Sequence, residues 1–206
     1  MTDLSLFFVA SALLIITPGP DIVYVLTRGI GGGRRAGVVS ALGVSAGILV
    51  HATAAAMGVA VLLTASSWAF WVLKVGGGLY LLYVAFGLLR SRDLMQVGAT
   101  RTPAGMRRCL VQGFLSNVLN PKVALFFVAF LPQFVNPASG SHALQILQLG
   151  GIFALMGCAF LTALGFFAGE VGVWLNRRAK LEKGIRIGSA SVLMLLGIQL
   201  MLPEKK

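Results

Sequence analysis

Two stretches of this chain place an ionisable side chain directly beside a proline within a long apolar run: Thr17-Pro18-Gly19-Pro20-Asp21 and Asn120-Pro121-Lys122. Pro18 and Pro20 each lack a backbone N–H, so two helical hydrogen bonds are missing within one turn, and Gly19 adds freedom between them. Pro20 suits the first position of a new half-helix, with Asp21 in its first turn where a carboxylate favours the positive end of the dipole. In the second stretch Asn120 is a good N-cap and Pro121 a good first helical residue. Helix starts of this kind offer spare N–H donors and partial positive charge, which can hold a carboxylate without a dedicated arginine. The competing reading is that these prolines are packing kinks. Two breaks at similar depth, each beside an ionisable group, favour a binding role. At a helix centre Asp21 and Lys122 would each cost about 2.5–3.5 kcal/mol on insertion scales. Such charges face a cavity or pair with one another, and both are expected to line a central cavity as an exchangeable ion pair. The expected substrate-binding set is Thr17, Pro18, Gly19, Pro20, Asp21, Asn117, Asn120, Pro121 and Lys122.

Other candidates carry less. His51 is central to an apolar run and reads equally as a hydrogen-bonded packing residue or as a proton-handling group. Asn117, one turn before Lys122, lies near the same cavity or bridges helices. Glu170 is expected to form an interfacial ion pair with the nearby Arg177 and Arg178. Gly31-Gly32-Gly33 before Arg34-Arg35 is read as a flexible turn, since no strand precedes it and no Gly-Lys-Ser/Thr follows.

The elements that position these residues follow from composition. Of 206 residues, 57% are hydrophobic and 11% charged, and the mean hydropathy is +0.89. Soluble domains carry about 25% charged residues. A soluble nucleic-acid binder can be basic but needs a polar surface that this composition does not supply. Disorder needs low hydrophobicity, and two cysteines do not make a disulfide scaffold. What remains is an all-α integral membrane protein. A bilayer core needs about 20 apolar residues as helix, and six spans are expected at 4–27, 38–63, 68–89, 109–134, 143–169 and 187–202. The first and fourth contain the proline breaks.

Charge then sorts by loop. Arg28, Arg34 and Arg35 follow the first span, and Arg90, Arg92, Arg101, Arg107 and Arg108 follow the third. Arg177, Arg178, Lys180, Lys183 and Arg186 follow the fifth, so these three loops hold most of the 17 basic residues. The positive-inside rule puts them in the cytoplasm and both termini outside. Lys205 and Lys206 are a minor exception. Trp68, Trp71 and Trp174 fall near span ends, at headgroup level. The N-terminus lacks a basic leader and a small-residue cleavage pattern, and reads as a retained helix.

An internal repeat is visible. Leu73-Lys74-Val75-Gly76-Gly77 in the third span resembles Ile185-Arg186-Ile187-Gly188-Ser189 leading into the sixth, and the first and fourth spans share the proline break. The chain thus reads as one transporter domain, 1–206, made of repeats 1–105 and 106–206. Three spans per repeat is an odd number, so the second repeat enters the membrane inverted. Secondary transporters of this design bind substrate at the repeat interface near the midplane. Gly43-x-x-x-Gly47 and Gly165-x-x-x-Gly169 permit close helix approach within one protomer or, alternatively, in a homodimer.

At this point the chain resembles the LysE/RhtB amino-acid exporters. The resemblance rests on Ile16-Thr17-Pro18-Gly19-Pro20-Asp21, the glycine-spaced second span with His51, Leu73-Lys74-Val75-Gly76 leading to Tyr80-Leu81, and Asn117-x-x-Asn120-Pro121-Lys122. Phe126-Phe127 followed by Leu131-Pro132-Gln133-Phe134 completes it, and it covers essentially the whole chain. It implies a bacterial inner-membrane exporter of amino acids or their derivatives, proton-driven, nearer the homoserine, threonine and leucine branch than the lysine and arginine one. In the expected cycle the substrate carboxylate meets the helix starts and Lys122, and its ammonium meets Asp21. Protonation of Asp21 releases it, with His51 a second proton-coupling candidate. The implied partners are an amino acid, protons and lipid; no enzyme activity, cofactor, metal or nucleic acid is expected.

Other classes fit less well. A channel would want a repeated selectivity ring. A metal exporter would want clustered ligands, and only Asp21 and His51 lie deep. A membrane thiol-electron carrier would want cysteines at the breaks, whereas Cys109 sits at a boundary and Cys158 inside the fifth span. Export of another small solute remains an alternative.

Overall fold

The computed structural model describes residues 4–65, 67–90, 105–136, 138–176 and 179–201, and among these there is helix and no strand. Helix α1 is Leu4–Ile16, α2 is Pro20–Ala65, α3 is Ser67–Arg90, and α4 is Met106–Val118. The short α5, Pro121–Leu125, runs on through a π-helical turn, Phe126–Phe130, and a 3-10 turn, Leu131–Phe134. Helices α6, His142–Phe166, α7, Ala168–Asn176, and α8, Ala179–Met201, complete the chain. By length and apolarity alone two stretches qualify to cross a bilayer, 20–58 within α2 and all of α6, although 20–58 contains a reversal at Gly33. A third is added if α4 and the segment to Phe134, bent by 47°, count as one.

Both proline motifs interrupt helix. The chain leaves α1 after Ile16 and restarts at Pro20, and it leaves α4 after Val118 and restarts at Pro121. Each restart has proline in the first position, where its missing N–H is one the helix leaves unbonded anyway.

The 46 residues of α2 would measure about 69 Å if straight, at 1.5 Å per residue. They fold back instead at Gly33, whose φ of 81° lies in the left-handed region open to glycine. A Cβ on Gly29 would lie 3.5 Å from Gly37 Cα, across eight residues that would span about 12 Å of straight helix. The turn expected at Gly31-Gly32-Gly33 is present as a reversal at Gly33, but helix persists on both sides of it where the spans were expected to stop at 27 and resume at 38.

Two further boundaries shift. The fifth span ends at Phe166 rather than 169, which puts Glu170 in the first turn of α7. The basic segment expected to be a loop is largely helical, because α8 begins at Ala179 and includes Lys180, Lys183 and Arg186. Arg92, Arg101, Arg177, Arg178 and both chain termini lie outside the described residues, as does the side chain of Trp174. Trp68 and Trp71 are exposed near the start of α3.

Glycine sets the packing distances. A Cβ on Gly43 would strike the Leu110 carbonyl of α4, one on Gly47 would lie 2.8 Å from Asn117 Cβ, and one on Gly165 would meet the Gly37 backbone. Such small residues let helix backbones approach in a membrane, where water gives no hydrophobic drive between them. Three of the four motif glycines are thus used inside the chain, while Gly169 faces open space. Helix α2 packs along α4 and α6, and α3 along α8, where a Cβ on Gly78 would lie 2.7 Å from the Gly197 carbonyl.

Phenylalanine fills the end away from the arginines. Phe126 stacks on Phe153 at 4.7 Å, Phe127 meets Phe153 edge-on at 5.4 Å, and Phe134 meets Phe7 at 5.4 Å and Phe130 at 5.3 Å.

Candidate functional site

Proline at position i removes the donor that would reach carbonyl i−4. Pro18 thereby leaves the Leu14 carbonyl without its helical partner, and Pro121 does the same to Asn117. Buried carbonyls of this kind must be paired elsewhere. The side chains that pair them come from distant parts of the sequence.

At the first break, Lys122 Nζ donates to the Leu14 carbonyl at 3.1 Å and to the Thr17 carbonyl at 2.9 Å. A cation at a helix C-terminus also complements the dipole. Gly19 makes room for it, since a Cβ there would lie 3.2 Å from Nζ and 3.5 Å from Cε. The Thr17 hydroxyl turns back to donate to the Leu13 carbonyl at 2.7 Å.

At the second break, the Asn117 carbonyl accepts from the Asn120 N–H at 2.8 Å and pairs with His51 Nε2 at 2.9 Å. A carbonyl only accepts, so Nε2 carries the proton. The His51 ring also stacks on Phe127, with centroids 6.1 Å apart. Asn120 caps the new helix as expected, its Oδ1 accepting from the Lys122 N–H at 3.1 Å.

Asp21 is held across the gap between the breaks. Its Oδ2 accepts from Asn117 Nδ2 and from Asn120 Nδ2, each at 2.8 Å. Its Oδ1 and the Asn117 Oδ1 are buried acceptors with no hydrogen-bond partner. Asp21, Asn117 and Lys122 form the polar corner of a cavity of about 30 Å³, whose other walls include Ile48, Phe153, Gly157 and Leu161. That is room for about one water, so the site must widen to take a larger solute.

The expected residues therefore do meet: Thr17, Gly19, Asp21, Asn117, Asn120 and Lys122 lie within one hydrogen-bonded cluster, with Pro18, Pro20 and Pro121 creating the gaps. One expectation is corrected. Asp21 and Lys122 form no direct ion pair, because each binds backbone or amide groups of the opposite break; the ion pair found among the described residues is Arg34–Glu170 at 2.8 Å. Glu170 thus pairs with Arg34. The backbone hydrogen bond at Glu170 and then the Arg34 guanidinium hold its carboxyl below the usual range. His51 touches the break carbonyl, one side chain away from Asp21.

Further links escaped the sequence reading. Tyr24 OH donates to the Cys109 carbonyl at 2.8 Å, and Arg28 donates to Gln112 Oε1. With Asp21 they occupy positions i, i+3 and i+7 of one face of α2, all bonded to the segment around α4. That spacing was available as a signal.

A LysE type translocator family model matches residues 12–204. A membrane protein of Pseudomonas aeruginosa is 32% identical over 97% of this chain and 95% of its own length. A threonine efflux protein of Salmonella typhi is 31% identical over 74% of this chain and 75% of its own. A homoserine/homoserine lactone efflux protein of Salmonella typhimurium is 26% identical over 93% and 92%. No solved structure matches the chain significantly.

Proposed function

The chain belongs to the LysE type translocators and is a membrane transporter rather than an enzyme; from that premise we propose that it exports amino acids or their derivatives from the bacterial cytoplasm by proton antiport. Its relatives named for threonine and homoserine efflux support the substrate class. The observation that carries the mechanism is the asymmetric carboxylate of Asp21. One oxygen is fixed by two asparagine amides, and the other is buried without a donor on a residue that lines the cavity.

A charged acceptor without a donor suits an ammonium group, and Asn117 Oδ1 is a second unpaired acceptor on a residue of the same lining. The substrate ammonium binds to Asp21 Oδ1 and Asn117 Oδ1, replacing the donors these atoms lack. The carboxylate lies toward the half-helix starts and Lys122, whose three donors already serve two carbonyls and leave at most one for substrate. On the outer side a proton takes the place of the ammonium at Asp21, the substrate leaves, and the protonated carboxyl carries the charge back. His51 contributes by keeping the second break capped through the Asn117 carbonyl; a proton passing between it and Asp21 would travel through water in the widened cavity.

The architecture we propose is six spans in two inverted repeats, 1–105 and 106–206, in the inner membrane, with the arginine-bearing ends cytoplasmic and both termini outside. The packing of α3 on α8 and of α2 on α6 supports it, since counterpart elements then pair around the site. Uptake of labelled amino acids into inverted vesicles tests the reading. It is expected to follow an imposed pH gradient, and uptake indifferent to collapse of that gradient would remove the proton step.

A further inference from the structure

Opposite the polar corner, the cavity wall belongs to α6. Phe153, Gly157 and Leu161 are spaced four residues apart on one helix face. Phe153 is locked by its contacts with Phe126 and Phe127, and Leu161 is buried, so Gly157 forms a notch between two fixed side chains. Packing does not explain this glycine. Gly37, Gly43 and Gly165 sit against the backbone of a neighbouring helix, whereas a Cβ on Gly157 would meet a single flexible atom, Ile48 Cδ1, at 3.1 Å across the cavity. The notch is therefore closed by a side-chain tip that can rotate away, and the space it uncovers is lined by hydrocarbon.

We infer that Gly157 and Ile48 together read the substrate side chain, admitting an uncharged aliphatic group into the α6 notch and limiting its size. The inference rests on the reading above that Asp21 and Asn117 take the ammonium. With the ammonium anchored there, the apolar remainder of the lining is left for the side chain, and within it the α6 face is where a glycine leaves room beyond Leu14, Ile15, Ile22 and Val123. Away from the polar corner that wall carries no acid to pair with a cationic side chain and no donor for an anionic one. Burying either charge unpaired is prohibitive. A fitted apolar wall discriminates by about 10–200-fold per methylene.

The test uses inverted vesicles and labelled glycine, alanine, leucine and lysine, with wild type, Gly157→Ala, Gly157→Val, Ile48→Ala and Asp21→Asn. Wild type is expected to take up aliphatic substrates and refuse lysine. Gly157→Ala should lower leucine relative to alanine by about tenfold, and Gly157→Val should restrict uptake to the smallest members. Ile48→Ala should move the ratio the other way, which keeps the test decisive if the valine variant fails to reach the membrane. An unchanged leucine-to-alanine ratio in Gly157→Ala and Ile48→Ala, with Asp21→Asn inactive, would overturn the side-chain assignment while leaving the ammonium site standing. Lysine uptake matching that of leucine would overturn it too. Full transport by Asp21→Asn, or no uptake of any of the four by wild type, would instead overturn the reading of the site on which the inference rests.

Discussion

The two helix breaks begin from the same defect and resolve it differently. At the first, proline strands carbonyls at the end of α1, and a charged group, Lys122, covers them. At the second, the stranded carbonyl of Asn117 is covered by neutral donors, His51 and the Asn120 N–H. Each break also reaches across: the lysine of the second serves the first, and the aspartate of the first is held by the asparagines of the second. The difference lies in what is left over. Most of the donors of Lys122 are engaged, while Asp21 keeps one oxygen unpaired at the cavity. In the proposed reading Lys122 therefore acts mainly as a strap between the breaks, and Asp21 as the group that meets substrate.

This asymmetry orders the expected effects of substitution. The largest on transport is Asp21→Asn, which keeps the shape and an acceptor but removes the charge. Export measured from cells should fall to background while the purified protein stays monodisperse and folded. Export near the wild-type level would reverse the assignment of roles between the breaks.

Lys122→Met should show the opposite balance. It leaves two buried carbonyls unpaired, at about 1–3 kcal/mol each. The thermal midpoint in detergent should drop far more than for Asp21→Asn. If Lys122→Met kept wild-type stability and lost only transport, the strap would be wrong and the lysine would belong to the substrate.

His51 sharpens the second break. His51→Leu removes one of two donors to the Asn117 carbonyl and should cost about 0.5–1.5 kcal/mol of stability, since the Asn120 N–H still serves it. His51→Gln can restore a donor without a titrating ring, so it should recover both stability and the pH profile of transport. A shifted pH profile in His51→Gln would make the imidazole a proton carrier as well as a cap.

The smallest effect is expected far from the breaks, at Arg34–Glu170. The Glu170 carboxyl titrates below its ordinary value, so the contribution of the folded pair is fully present above the unfolded value and disappears as pH falls through the depressed one. The pair is exposed and screened, so Glu170→Gln should leave transport unchanged and merely flatten the acid side of the stability profile.

Much of the candidate site was legible because proline and charge speak locally. A proline inside an apolar run marks a broken helix wherever it folds, and Asn120-Pro121 states its own cap. Both ends of α3 and the start of α6 followed from the apolar runs. What escaped depends on partners distant in sequence. Asp21 and Lys122 invite pairing as opposite charges, but the breaks that host them also expose carbonyls and face amides, and those nearer groups win. The turn at Gly31-Gly32-Gly33 was legible, but its tightness was not, because helix can continue to both sides of one left-handed glycine and glycine runs otherwise read as loop. Gly157 was invisible because one glycine in an apolar helix looks the same whether it faces a neighbour's backbone or a cavity.

The central claim is that substrate ammonium and a proton compete for the unpaired oxygen of Asp21. Proton release on binding, measured with a pH indicator on purified protein in weak buffer, tests it most directly. At the pH values where transport follows an imposed pH gradient, wild type should release up to about one proton per amino acid bound, and Asp21→Asn should release none. Equal release from both proteins would contradict the account and place the coupling proton elsewhere.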